Sequence, residues 1–406
     1  MRVTASTFYK DYAKSVQDLK SIYNKSMQQV SSGKKYENAY ENPLDYYAGK
    51  KIDNLYNDVV TKDTMIKDVI NRLEQQETTS RTFYSEMSDL NIKYEQMASA
   101  SYQGQADTVD TLYTYTLNKQ QTMTQDLNAT YENYFVMGGN DQTTVPFTMS
   151  ANGMELTYHH KFPGDSNVTT MKMTYDPSTK SFDYKGTAAN GNPMDRDDTL
   201  KKILQAMKEQ GRMSLGYGDI NTLETLPDTY YGGLNMVTGL TSDKLRAMSE
   251  GDAINAIKDA MNTSAFGLNA QVLDSTEKYR DSFYAETIED PVGTIRPMTA
   301  EEKEAAKESA LQKMNEDLSY ALGNWDNAMI KVSNTFRRIG VATGTLEEVD
   351  NQLKTSQDTY IKEYNDHMAI DTYDAIVQMY QHMYSYNAAM QVGSKIMQNS
   401  LFDFVQ

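Results

Sequence analysis

Four histidines, His159, His160, His367 and His382, are the first residues to question about catalysis or metal binding. No H-E-x-x-H spacing joins any two of them. His159 and His160 are adjacent, so in a strand they leave on opposite faces and cannot share one ion. His367 and His382 lie on a helical stretch and read as helix-surface residues. The chain has no cysteine, which removes disulfides and thiolate metal sites. There is no P-loop and no G-x-S-x-G elbow. Gly216-Tyr217-Gly218 lacks the rest of a dinucleotide fingerprint and reads as a flexible turn. Asp195-Arg196-Asp197-Asp198 reads as a solvated helix start, and no EF-hand loop is present. Carboxylates are so abundant that any pair could mimic a glycosidase couple, so abundance carries no information. No catalytic, cofactor-binding or metal residue is expected, and the chain is not expected to be an enzyme. The rival expectation is a secreted adhesin or enzyme whose activity sits in the middle of the chain. A deep polar pocket with converging acids would be its sign.

What remains is binding. A net charge of −17 repels nucleic acid and anionic lipid, so neither is an expected partner. No run approaches the ~18 apolar residues of a membrane helix, so no membrane insertion is expected. Met1-Arg2-Val3-Thr4-Ala5-Ser6-Thr7-Phe8 contains no apolar core of a cleaved signal, so export would use another route. The 406 residues suggest two or three domains. Mean hydropathy is −0.67, and 30 Tyr and 25 Met do much of the apolar work. Both tolerate partial exposure, which favours partner-dependent packing.

The elements that must position such contacts are long helices. Tyr9, Tyr12, Val16, Leu19, Tyr23, Ser26 and Val30 recur at alternating spacings of three and four, a heptad stripe. A second stripe runs Ala48, Ile52, Leu55, Val59, Lys62, Ile66, Val69, Leu73. After a polar stretch it resumes as Phe83, Met87, Leu90, Tyr94, Met97. A helix over 45–100 would be ~80 Å long, a length suited to rods and tubes. Gly33 ends the first helix; Asn42 and Pro43 open the second. A third helix is expected over 106–135, ending at Gly138-Gly139-Asn140. Short strands follow at 145–149, 154–158, 169–175 and 181–184, with turns at Asn152-Gly153 and Asp176-Pro177. Helices are expected near 198–211 and 242–262, with Gly-rich loops at Gly216–Gly218 and Gly232-Gly233. Tyr230-Tyr231 fall in a loop with no assigned role. Helix returns after Thr299 with Leu311, Met314, Leu318, Ala321, Trp325, Ala328 and Val332. Arg337-Arg338-Ile339-Gly340 and Gly344 are expected to interrupt it. A final helix carries Leu346, Val349 and Leu353, then Tyr360, Ile376, Met379, Met383, Met390 and Ile396.

The expected fold is therefore mainly α. Helical coiled-coil arms from both termini form one bundle, with an inserted β-rich α/β globular domain. The expected boundaries are 1–140 for the N-terminal arm, 141–295 for the insert and 296–406 for the C-terminal arm. The charge is unevenly placed, which reads either as arms that pair or as two solvated helix faces. Residues 1–50 hold eight Lys/Arg against five acids, and residues 341–406 hold three Lys against nine acids. The expected assembly interface comprises Tyr12, Val16, Leu19, Tyr23, Val30, Met383, Met390, Ile396, Leu401, Phe402 and Phe404.

Short motifs add a resemblance. Gln29-Val30-Ser31-Ser32-Gly33-Lys34-Lys35, then Asn38-Ala39 and Glu41-Asn42-Pro43, resembles the N-terminal signature of the bacterial flagellin family. Glu41-Asn42 replaces that family's paired aspartates. Leu127-Asn128-Ala129, Tyr134 to Asn140 and Pro146-Phe147 are similar to the segment leading into its variable domain. Gly340-Val341-Ala342 with Leu346-Glu347 is similar to a C-terminal motif, with Thr345 in place of the usual Arg. Ala388-Ala389-Met390, the ending Ser400-Leu401-Phe402-Asp403-Phe404 and the start Met1-Arg2-Val3-Thr4 look most like the hook-filament junction branch (hook-associated protein 3). Residues 150–300 resemble nothing nameable. The resemblance implies a flagellin-like structural subunit of the bacterial flagellum, secreted by type III export and serving motility. It would self-assemble into a ring at the hook-filament junction. Its implied partners are another hook-associated protein, filament flagellin and an export chaperone. The nearest alternative within the family is a filament flagellin. It also implies arms that order on assembly, because an isolated arm buries too little to offset its ordering entropy.

Overall fold

The structure, a computed structural model, describes residues 5–209, 211–212, 228–289 and 295–402. Side chains at 5–6, 211–212, 228–230, 289 and 396–402 also lie outside the description. The Gly216–Gly218 turn falls outside it. The chain is mainly helical with a small antiparallel β region, as the periodicity predicts.

In chain order the elements begin with α1 (Ala5–Ser32), α2 (Pro43–Ala98), α3 (Ala100–Gln103) and α4 (Ala106–Asp126). Strands β1 (Thr130–Tyr131), β2 (Tyr134–Phe135), β3 (Phe147–Met149), β4 (Glu155–His160), β5 (Thr169–Asp176), β6 (Ser181–Thr187) and β7 (Pro193–Met194) follow. Next come α5 (Arg196–Lys208), β8 (Gly211–Arg212), β9 (Asp228–Tyr230), α6 (Gly233–Thr238), α7 (Ser242–Ala247), α8 (Glu250–Asn262) and α9 (Ala265–Ser282). The chain closes with β10 (Thr287–Glu289), β11 (Ile295–Pro297), α10 (Ala300–Met368) and α11 (Thr372–Phe402). Two compact units result: one from the chain up to Met65 together with Asp350 onward, the other from Ile66–Val349.

The first unit joins the two chain ends. α1 stops at Gly33, whose φ of +69° lies in the left-handed region that suits glycine. Asn42 caps α2 through Oδ1, which accepts from Asp45 N at 3.3 Å. Pro43 is the first helical residue, where its missing N–H costs nothing.

The second unit holds the large core. Trp325 is fully buried, donates from Nε1 to Met87 O at 2.9 Å, and meets Tyr94 edge-on at 4.9 Å. The α2 stripe does not lapse at its polar stretch: Gln76 and Ser80 occupy the missing positions and are buried. Gln76 Nε2 donates to Val136 O at 2.5 Å. A five-stranded sheet runs β3-β4-β5-β6-β7, each neighbour antiparallel. β5 alternates as the pleat demands, with Met171, Met173 and Tyr175 buried. Asp195 caps α5, its side chain accepting from Asp198 N at 2.9 Å, so the Asp195–Asp198 cluster is a helix start.

Three expectations are corrected. The third helix ends at Asp126, and residues 130–135 form a two-stranded hairpin instead of its last turns. α10 passes through Gly340 and Gly344 without interruption, and the chain breaks at 369–371 instead. Ile339, Ala342 and Leu346 are buried there, and that burial outweighs a glycine penalty of ~1 kcal/mol per residue. Gly232-Gly233 is not a free loop: Gly232 stands at the N-cap of α6.

Candidate assembly interface

α1 and α11 pack side by side and antiparallel. At one end the Tyr12 hydroxyl donates to Ala389 O at 2.5 Å. At the other, Lys34 bridges to Ala369, Lys35 N donates to Met368 O at 2.7 Å, and Ile370 N donates to Gly33 O at 3.0 Å. Two turns, one from each half of the chain, are thus stitched by backbone hydrogen bonds.

The α1 face is the one its heptads predict. Tyr9, Tyr12, Val16, Leu19, Tyr23 and Val30 are half-buried and Ser26 is buried. Apart from Gln29, every other described side chain on α1 is exposed. The opposing α11 face is Ala375, Met379, His382, Met383, Tyr386, Ala389 and Gly393. Tyr23 stacks on Tyr386 with ring centres 6.4 Å apart and planes 7° from parallel. Gly393 lies under the Tyr12 ring, where any Cβ would overlap the phenol. Glycine is therefore required for this approach.

Of the expected interface residues, Tyr12, Val16, Leu19, Tyr23, Val30 and Met383 are brought to this seam. Met390 is 49% exposed on another face of α11. Ile396, Leu401 and Phe402 lie within α11, but their side chains are outside the description, and Phe404 is outside the described residues. Hydrophobicity alone misses Ala375, His382, Ala389 and Gly393. The available signal was their three-four spacing, carried by small and polar residues.

Charged contacts fasten the turns. Lys25 Nζ reaches Glu41 at 3.0 Å, and Glu41 also accepts from Glu37 N at 2.9 Å. Burial works against the Glu41 charge, but the Lys25 and backbone hydrogen bonds outweigh it and hold the carboxyl below its usual range. His367 Nδ1 lies 3.0 Å from Asp45 Oδ1.

The second unit shows where the other chemical candidates sit. His159 Nε2 meets Thr148 Oγ1 at 3.0 Å on the outer side of the sheet. His160 is buried on the opposite side, with Nδ1 3.0 Å from the Tyr158 hydroxyl. A hollow of about 390 Å³ is lined by Tyr134, Asn140, Asp141, Lys161 and Asp165, among others. Its Asp141 carboxylate is already engaged by Thr143, by Thr144 N and by Lys161 N. Among the described residues no three His, Asp or Glu side chains gather to hold a metal ion. None of the described helices is long and apolar enough to cross a membrane.

No protein-family description and no curated protein matches the chain. Among solved structures it is similar to one described as a flagellar hook-associated protein from Vibrio parahaemolyticus. That match has 10% identity, 81% coverage of this chain, 100% of the other and a TM-score of 0.47. It is also similar to FlgL from Xanthomonas campestris, at 10% identity, with 76% and 99% covered and a TM-score of 0.32.

Proposed function

We propose that this chain is a structural subunit of the bacterial flagellum that joins hook to filament and assembles through its terminal helices. The observation that carries the reading is the α1–α11 seam: both chain ends are spent on one helix pair whose apolar stripe is only half covered. A pair left in that state gains most from neighbouring subunits, which supply the missing surface. The motif at 29–43 falls on the end of α1 and the start of α2, and the ending at 400–404 favours the junction role over filament flagellin. On this reading the insert is a variable domain, the subunit leaves the cell unfolded with a chaperone, and a ring of copies contacts another hook-associated protein and flagellin.

Deletion of the gene tests it. Hooks should persist while flagellin leaks unpolymerised into the medium, and antibody against the chain should label the hook-filament boundary of wild-type flagella. Loss of hooks, loss of flagellin synthesis, or label along the whole filament would overturn the assignment.

A further inference from the structure

We propose that Asn190-Gly191, at the tip of the β6–β7 hairpin, is a site of spontaneous covalent ageing, and that the fold shields the chain's other Asn-Gly pair, Asn152-Gly153, from the same reaction.

The chemistry needs no enzyme. The glycine backbone nitrogen loses its proton to hydroxide and attacks Cγ of the asparagine. An N–Cγ bond forms, the Cγ–Nδ2 bond breaks, and ammonia leaves with a proton taken from water. Water then adds to one carbonyl of the five-membered imide. Ring opening gives aspartate, or iso-aspartate in which the backbone runs through the side-chain Cγ. Glycine permits the attack because it has no Cβ to obstruct it, and asparagine is among the thermolabile residues. The sequence holds two such pairs.

Both pairs sit in the same kind of turn. Gly153 N donates to Ser150 O at 3.0 Å with φ +74°, and Gly191 N donates to Ala188 O at 2.8 Å with φ +85°. In each, the asparagine Oδ1 accepts a backbone N–H from two residues on: Met154 N at 3.2 Å and Asn192 N at 3.0 Å. Local geometry does not separate them, but their surroundings do. Gly153 is buried, and a Cβ there would stand 2.9 Å from Leu117 and 3.1 Å from Leu273. Its carbonyl accepts from Gln120 Nε2 at 2.6 Å, and Gln120 in turn bonds the buried Asn269. Asn190, Gly191 and Asn192 are all exposed, and nothing lies within 4 Å of where a Cβ would stand on Gly191.

The attack requires the turn to open, so that the asparagine side chain swings over the following nitrogen. At the hairpin tip this breaks a few exposed turn hydrogen bonds beside the two-residue β7. At Asn152 it also lifts Gly153 away from Leu117, Leu273 and Gln120. Openings of the first kind occur while the rest of a protein stays folded. The product carries one more negative charge. Iso-aspartate also adds a backbone carbon between Thr187 and Pro193, which are paired across β6 and β7.

The test incubates the full-length chain in warm, mildly alkaline buffer made with heavy-oxygen water, folded in one arm and unfolded in urea in the other. Peptide mass spectrometry reads the label at each site, and enzymatic methylation identifies iso-aspartate. In the folded arm Asn190 should convert about tenfold or more faster than Asn152, and in urea the two should convert at equal rates. Asn190→Gln should abolish labelling of its peptide and leave the Asn152 rate unchanged. Asn190 persisting in the folded chain while it converts in urea would overturn the site. Asn152 keeping pace in the folded chain, or lagging as far behind in urea, would overturn the shielding.

Discussion

Tyr23→Ala tests whether the seam is an independent element of stability. Truncating a fully buried aromatic costs roughly 3–5 kcal/mol. Tyr23 is half-buried, which scales the cost to about 2 kcal/mol, including the ring pair with Tyr386. For a cooperative unit of this size, that lowers its melting temperature by about 10 °C. The protein provides a clean second probe. It has one tryptophan, Trp325, which is fully buried in the other unit. Far-UV circular dichroism should show an early helical transition that moves down in the variant. Tryptophan fluorescence should keep its midpoint. Equal displacement of both signals would refute the reasoning, because the two units would then be melting as one. No displacement of either would mean that the Tyr23–Tyr386 pair does not hold the seam.

Three other outcomes are expected. Asn269→Ala should destabilise the second unit by about 3 kcal/mol in denaturant unfolding followed by Trp325, since it strands the buried Tyr94 hydroxyl and the Gln120 carbonyl it bonds. Burial pushes the Asp126 carboxyl up to about 6, against the pull of Lys119 and with the push of Glu86. Its protonated form is thus favoured by folding: that stability is full below pH 4 and is lost as pH rises through 6. Asp126→Asn should therefore gain about 1 kcal/mol at pH 7, after allowance for partial exposure, and nothing at pH 3.5. His160 runs the other way: burial lowers its pKa, with Asp141 and Glu209 opposing and Lys202 assisting. Its contribution is present above pH 6.5 and is lost as pH falls below that, so a His160→Gln series should show a flatter acid limb in urea titrations.

How much of this was legible depends on whether a helix has two faces. α1 buries one face, against α11, so its burial follows its hydrophobic period residue for residue. The β5 strand is legible for the same reason, with Met171, Met173 and Tyr175 alternating inward. α9 was not foreseen. It is buried nearly all round, with Asn269, Gln271, Asp274, Ser275 and Thr276 inside alongside Leu268 and Val272, so no periodicity survives. Its polar groups are satisfied by long-range partners such as Gln271 Nε2 to Asp317 Oδ1 at 2.7 Å. α11 was legible as a helix, but its seam is built from Ala375, Ala389 and Gly393, whose value lies in letting backbones approach. Met390, larger and more hydrophobic than these, is 49% exposed. The continuity of α10 was hidden because two glycines are a local signal, while the burial that overrides them is tertiary.

The outer strands of the five-stranded sheet are three and two residues long. A free strand edge is a template on which another chain can add its own strand. Here the longer strands β4, β5 and β6 are all internal, and the two edges offer almost no ladder to extend. Another copy held beside this one would therefore find little backbone on which to extend the sheet or to start amyloid-like stacking.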